Sequence, residues 1–147
     1  MLRIKKDSIL NATESLILQQ VNCRNVMGAG LAKAIYTKWP IVKDMYHSFC
    51  KARDPYSLLG KVNAVKVEEG KYVVNVFGQL NYGRQNVRYT DYDALEKAFH
   101  EIASKTNLSI AIPYGFGCGL ANGDWNVVYG LIEKYFGDKE TTIYRLK

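Results

Sequence analysis

Hydrophobic and polar positions alternate with two different periods along the chain, and the switches between them mark out the elements. Leu2–Lys5 alternates weakly and predicts a strand. Asp7-Ser8 is a turn-like entry to Ile9-Leu10. Ser15–Val21 is apolar enough for a buried strand. From Ala29, Leu31, Ala34, Ile35 and Trp39 recur at helical spacing up to Pro40. Ile41, Val42, Met45, Tyr46 and Phe49 predict a second amphipathic helix to about Ala52, broken by Asp54-Pro55. Val62–Val67 alternates as a strand, Glu69-Gly70 turns, and Tyr72–Phe77 returns, apolar except for Asn75. Residues 78–87 are polar and predict a loop. Thr90 is a predicted N-cap for a helix whose face is Ala94, Leu95, Ala98, Phe99 and Ile102. Leu108–Ile112 predicts a buried strand. A last helix from Asn122 or Gly123 has the face Val127, Val128, Leu131, Ile132 and Tyr135, with Gly137 as its C-terminal cap. Thr141–Leu146 predicts a final strand. Alternating strands and helices predict an α/β fold, a three-layer α/β/α arrangement around a mixed sheet, with residues 1–147 forming one domain.

Two stretches repeat one design. Leu16-Ile17-Leu18 leads through a polar cluster into Gly28-Ala29-Gly30 and a helix. Ile110-Ala111-Ile112-Pro113 leads into Tyr114-Gly115-Phe116-Gly117-Cys118-Gly119-Leu120 and another helix. Unpaired amides at a helix start favour negative charge, and glycine allows close approach. Two phosphate sites on backbone amides fit this pattern, and so do two tight turns without a ligand. Neither stretch matches G-x-x-x-x-G-K-[ST] or G-x-G-x-x-G. In an α/β sheet, ligands bind beyond the carboxyl ends of the strands, where both loops are expected.

Composition narrows the partners only slightly. The net charge is +6, spread along 147 residues without a basic run, so contact with anions is permitted but not specified. Eleven tyrosines leave single-stranded nucleic acid as a weaker possibility. No apolar stretch reaches membrane-spanning length, and the start lacks signal-peptide character. Cys23, Cys50 and Cys118 include no C-x-x-C, which predicts neither a metal site nor a disulfide framework and fits a reducing cytoplasm.

Val21-Asn22-Cys23, Met27-Gly28-Ala29-Gly30-Leu31-Ala32, Gly117-Cys118-Gly119-Leu120 and Gly123-Asp124-Trp125 together resemble the macro domain family. The resemblance spans nearly the whole chain. It is nearest the branch holding the terminal ADP-ribose–protein glycohydrolase and proteins that process ADP-ribose 1″-phosphate. It implies an ADP-ribose site without a cofactor or metal, in a protein expected to be monomeric. Gly28, Ala29, Gly30, Leu31 and Ala32 would lie near the distal ribose and one phosphate. Gly117, Cys118, Gly119 and Leu120 would set amides on the diphosphate, with Phe116 against the distal ribose or in the core. Asn22 matches a polar position near the same ribose. An early Gly-Asp-Ile motif of many macro domains, whose aspartate holds adenine, is replaced here by Ser8-Ile9 after Asp7. The Ile9 backbone or Asp7 would take that role.

The resemblance also marks what is missing. A lysine nucleophile and an aspartate of the glycohydrolase branch align with Gln79 and Ala121, and a histidine of close relatives aligns with Gln19. Glutamine forms no Schiff base. Asp124 is left as a candidate to activate water against a 1″-phosphate or an ester, with Asn22 beside it, or else Asp124 is a helix-start acid. Two functions are therefore expected from the sequence. One is removal of phosphate from ADP-ribose 1″-phosphate, or hydrolysis of a related ADP-ribosyl derivative. The other is a reader that binds ADP-ribose without turnover.

Overall fold

The computed structural model describes residues 2–146. Six strands form one sheet: β1 (Leu2–Lys6), β2 (Leu16–Asn22), β3 (Val62–Glu68), β4 (Lys71–Gln79), β5 (Ile110–Pro113) and β6 (Thr141–Arg145). The spatial order is β1-β6-β5-β2-β4-β3. Among the described strands β3 and β4 pair antiparallel, joined at the predicted Glu69-Gly70 turn, and the other four pairings are parallel. The sheet is therefore mixed.

Period-two alternation along β2 divides the core. Leu16 and Leu18 face a cluster with Phe99, Val128, Ile132 and Phe136. Ile17, between them, faces Ile35, Trp39 and Val42. These clusters seat helices α4 (Tyr92–Lys105) and α5 (Trp125–Phe136) on one face, and α1 (Gly30–Lys38) and α2 (Ile41–Lys51) on the other. The predicted three layers result. A third cluster, with Phe77 stacked between Tyr46 and Phe49 at 5.8 and 5.6 Å, holds α2 beside the end of β4.

Several boundaries differ from the sequence expectation for local reasons. Asp91, not Thr90, caps α4, because its carboxylate accepts the Ala94 amide at 3.0 Å. The last helix begins at Trp125 rather than Asn122 or Gly123. Asn122 has φ +60°, a left-handed conformation outside the right-handed helical region. Its buried face is Val128, Ile132 and Phe136, at i, i+4 and i+8, while Val127 is exposed. A short helix, α3 (Pro55–Leu58), uses Pro55 in its first turn where only a break was expected. Strand β4 continues through Gly78 and Gln79, two residues into the expected loop. Among the described residues, no helix is long and apolar enough to cross a membrane.

Candidate functional site

The carboxyl ends of β2, β4, β5 and β6 open into one cleft of about 770 Å³. One wall is the start of α1. Its N-cap, Ala29, has no side chain able to accept from the first turn. Among the described residues, the amides of Gly30, Leu31 and Ala32 donate to no acceptor. Gly30 stands at φ +59°, a backbone conformation open to glycine and strained for other residues. Unpaired amides at a helix start favour negative charge. Ala29, Gly30, Leu31 and Ala32 all line the cleft, whereas Gly28 does not.

A second wall comes from the chain after β1. Ser8 caps a 3₁₀ turn, Ile9–Asn11, through Oγ and the Leu10 amide at 3.2 Å. Asp7 accepts from Asn11 Nδ2 at 3.0 Å and from the Ser8 amide at 2.7 Å, and these bonds hold its carboxyl below the usual range. Asp7, Ser8 and Ile9 all line the cleft.

The third wall, 115–120, departs from expectation. It does not lead directly into a helix. Four residues separate Leu120 from Trp125, and the start of α5 is already capped. The loop is a run of turns: Phe116 N–H donates to Pro113 O at 3.1 Å and Cys118 N–H to Gly115 O at 2.8 Å. Gly117 O accepts both Gly123 N–H at 2.9 Å and Thr90 Oγ1 at 2.6 Å. Gly117 has φ +71°, and Gly123 leaves no room for a Cβ, which would lie 2.5 Å from Gly117 O. Among the described residues, the amides of Gly117, Gly119 and Leu120 donate to no acceptor. The second loop therefore offers turn amides, not a helix start. Phe116 packs in the core against Phe99 at 5.8 Å and also lines the cleft.

Other expected site residues are spent elsewhere. Asp124 Oδ1 accepts the Asn126 amide at 2.9 Å as the N-cap of α5, and the residue is not part of the cleft lining. Asn22 shapes the loop after β2: its Nδ2 donates to Val26 O at 2.8 Å, and its Oδ1 accepts from the Arg24 amide and Tyr46 Oη. Asn22 is also outside the lining. Cys118 turns its thiol to Phe116 O at 3.2 Å, and burial followed by the charge of Asp124 pushes its pKa up to about 11. Burial pushes Cys23 up to about 12. Among the described residues, no three His, Cys, Asp or Glu side chains cluster as a metal site would need.

The chain order concealed the mouth of the cleft. The Arg145 guanidinium lies 4.4 Å from the Tyr114 ring centre, and Tyr114 packs against Trp125 at 4.8 Å. Tyr114 and Arg145 follow β5 and end β6, so a strand-end rule applied to every parallel strand would have found them.

No protein-family model matches the sequence, and no curated protein matches it; the likeness lies with solved structures. A protein of unknown function from Bacteroides thetaiotaomicron superposes with a TM-score of 0.88 at 25% identity, over 98% of this chain and 97% of the other. The macrodomain of Mycobacterium tuberculosis DarG superposes at 0.81 and 24% identity, over 98% and 97%. The fold is that of a macrodomain. Thermosipho africanus DarTG, solved in complex with ADP-ribose, superposes at 0.80 and 19% identity, over 97% of this chain and 41% of that one.

In this macrodomain fold, Gln79 sits on the cleft with a hydrogen bond at each end of its amide. Its Oε1 accepts from Gln20 Nε2 at 2.8 Å, and its Nε2 donates to Asn81 O at 2.8 Å. Ala121 lines the cleft and offers its carbonyl to the amides of Tyr89 and Thr90. Gln19 is buried, with its Nε2 donating to Asn75 Oδ1 at 2.8 Å, and Asn75 donates on to Asn63 Oδ1 at 3.1 Å.

Proposed function

We propose that this macrodomain binds ADP-ribose, or an ADP-ribosyl group on a larger molecule, and holds it without turnover. The observation that carries the reading is the pair of unspent amide sets across one cleft. The start of α1 presents Gly30, Leu31 and Ala32, and the facing loop presents Gly117, Gly119 and Leu120. A diphosphate bridged between them is held by backbone and helix dipole without a lysine. The cleft volume falls in the roughly 300–1,000 Å³ range of small-molecule sites. The solved DarTG relative binds ADP-ribose, which supports the choice of nucleotide. Adenine would lie toward Asp7, Ser8 and Ile9, with the distal ribose toward Phe116.

Binding without turnover is favoured by what the cleft offers chemically. A hydrolytic role asked Asp124 or Asn22 to act on water, and both side chains are committed to local structure outside the lining. Gln79 is held at both ends of its amide and offers no nucleophile. Asp7 is the carboxylate of the lining, held ionised by Asn11 and Ser8. The test is incubation with ADP-ribose 1″-phosphate while inorganic phosphate and the nucleotide are followed by chromatography. The nucleotide is expected back intact, with a raised thermal midpoint for the protein. Phosphate release in proportion to protein would overturn the reader assignment.

A further inference from the structure

Gln20 lies on β2 and lines the cleft, and its amide joins three separate segments. Its Nε2 donates to Gln79 Oε1 at 2.8 Å and to Thr90 Oγ1 at 2.9 Å. Gln79 Nε2 then donates to Asn81 O, and Thr90 Oγ1 donates to Gly117 O. Both branches end on backbone carbonyls, which only accept. The direction of every bond is therefore set. Thr90 gives its one hydroxyl proton to Gly117, so its oxygen must accept from Gln20. Gln79 gives an amide proton to Asn81, so its oxygen must accept as well. Two acceptors require two donors, and the NH₂ of Gln20 supplies both.

This polarity turns Gln20 Oε1 the other way. A Cβ on Gly78 would lie 2.4 Å from that oxygen, and one on Gly117 would lie 2.9 Å from it. Among the described residues no donor reaches this buried oxygen, an unfavourable arrangement enforced by the two bonds on the opposite side of the amide. Gly78 and Gly117 are thus shaped around Gln20.

Gly117 O is the atom through which this network reaches the ligand loop. Fixing a carbonyl fixes its peptide plane, and with it the opposed N–H of Cys118, which donates to Gly115 O. The plane so fixed sits among the unspent amides of Gly117, Gly119 and Leu120. Resting on the ADP-ribose reading, we propose that Gln20 is a positioning residue which, through Thr90, holds the 117–120 loop in its ligand-accepting conformation. Methionine fills the volume of Gln20 without donating, and serine in place of Thr90 keeps the relay oxygen.

The test is a set of calorimetric titrations with ADP-ribose and AMP on wild type, Gln20→Met, Thr90→Val, Thr90→Ser and the Gln20→Met/Thr90→Val pair. Amide hydrogen exchange on the same ligand-free proteins accompanies them. Gln20→Met and Thr90→Val should each weaken ADP-ribose by roughly three- to tenfold while AMP changes less than about twofold. The double variant should be no worse than the worse single one. Thr90→Ser should match wild type, and exchange at 115–123 should accelerate in both lossy variants. Unchanged ADP-ribose affinity, equal losses for both nucleotides, or additive losses would each overturn the inference. If wild type binds neither nucleotide, the binding reading fails by itself. Exchange at 115–123 then decides: faster in Gln20→Met and Thr90→Val but not in Thr90→Ser supports the positioning role, and unchanged exchange overturns it. Should Gln20→Met fail to fold, the Thr90→Val and Thr90→Ser pair decides by the same readouts.

Discussion

Asp124 Oδ1 accepts the Asn126 amide at 2.9 Å, which commits the carboxylate nearest the second glycine loop to starting a helix. Its own amide donates to Tyr92 Oη at 2.9 Å, tying α5 to α4. Losing an N-cap costs about 1 kcal/mol of stability. Asp124→Ala is therefore expected to lower urea unfolding stability by that amount and to leave ADP-ribose affinity within about twofold. Asp124→Asn, which can still cap, should be nearly silent in both. Lost nucleotide binding at unchanged stability would return Asp124 to the site.

The start of α1 makes a sharper demand. Gly30 holds φ +59° beside amides that donate to nothing else among the described residues. A side chain there strains the backbone by roughly 1–2 kcal/mol. Relaxing that strain rotates the first-turn amides away from the cleft. Gly30→Ala is expected to weaken ADP-ribose roughly tenfold. Gly28 lies outside the lining and has open space around it, so Gly28→Ala should bind nearly as wild type. Equal effects at the two glycines, measured by titration, would mean that the loop as a whole and not the helix start is the anion site.

Local signals carried the layer order and much of the cleft. The period-two run of β2 and the 3.6-residue spacing of α1, α2 and α4 were plain along the chain, and Gly28-Ala29-Gly30 announced the uncapped helix start. Other features depended on contacts the chain order hides. Asn22 and Asp124 look like site residues because they adjoin glycine loops. In each, an Oδ1 accepts an amide two residues ahead, where only geometry separates a cap from a ligand contact. Gln20 and Thr90 are 70 positions apart and meet only when β2 and the segment before α4 converge. The Tyr114–Arg145 stack depends on β5 and β6 being neighbours, which no local pattern specifies.

A carboxylate away from the cleft contributes to the acid limb of stability. Glu14 accepts from Tyr144 Oη at 2.6 Å and from Thr142 Oγ1 at 2.8 Å. Burial pushes its pKa up, but these hydrogen bonds outweigh burial and hold it below the ordinary glutamate value of 4.5. A depressed carboxylate stabilises the fold above its unfolded pKa, and that contribution disappears as pH falls through the folded one. Glu14→Gln should thus lower stability at pH 7 and remove part of the fall below about pH 4.5. Denaturant unfolding at pH 7, 5 and 3 checks this, and parallel pH curves for the two proteins would contradict it.

Cys118 adjoins the proposed diphosphate site, yet its thiol is turned inward and its pKa is raised to about 11 by burial and then by Asp124. Alkylation by iodoacetamide at pH 7.5 should run slower than for a free thiol by roughly two orders of magnitude. Cys118→Ser should bind ADP-ribose as wild type does. Rapid modification at this position, located by mass spectrometry, would show an activated thiol instead.

In the proposed binding mode, unspent backbone amides on both sides of one cleft hold the diphosphate of ADP-ribose. Calorimetric titration of the purified protein with ADP-ribose, with AMP as the comparison, tests it most directly. One-to-one binding of ADP-ribose at well above the affinity for AMP is the predicted result. Absence of binding, or ADP-ribose and AMP binding alike, would contradict the claim and leave the two glycine loops as structural turns.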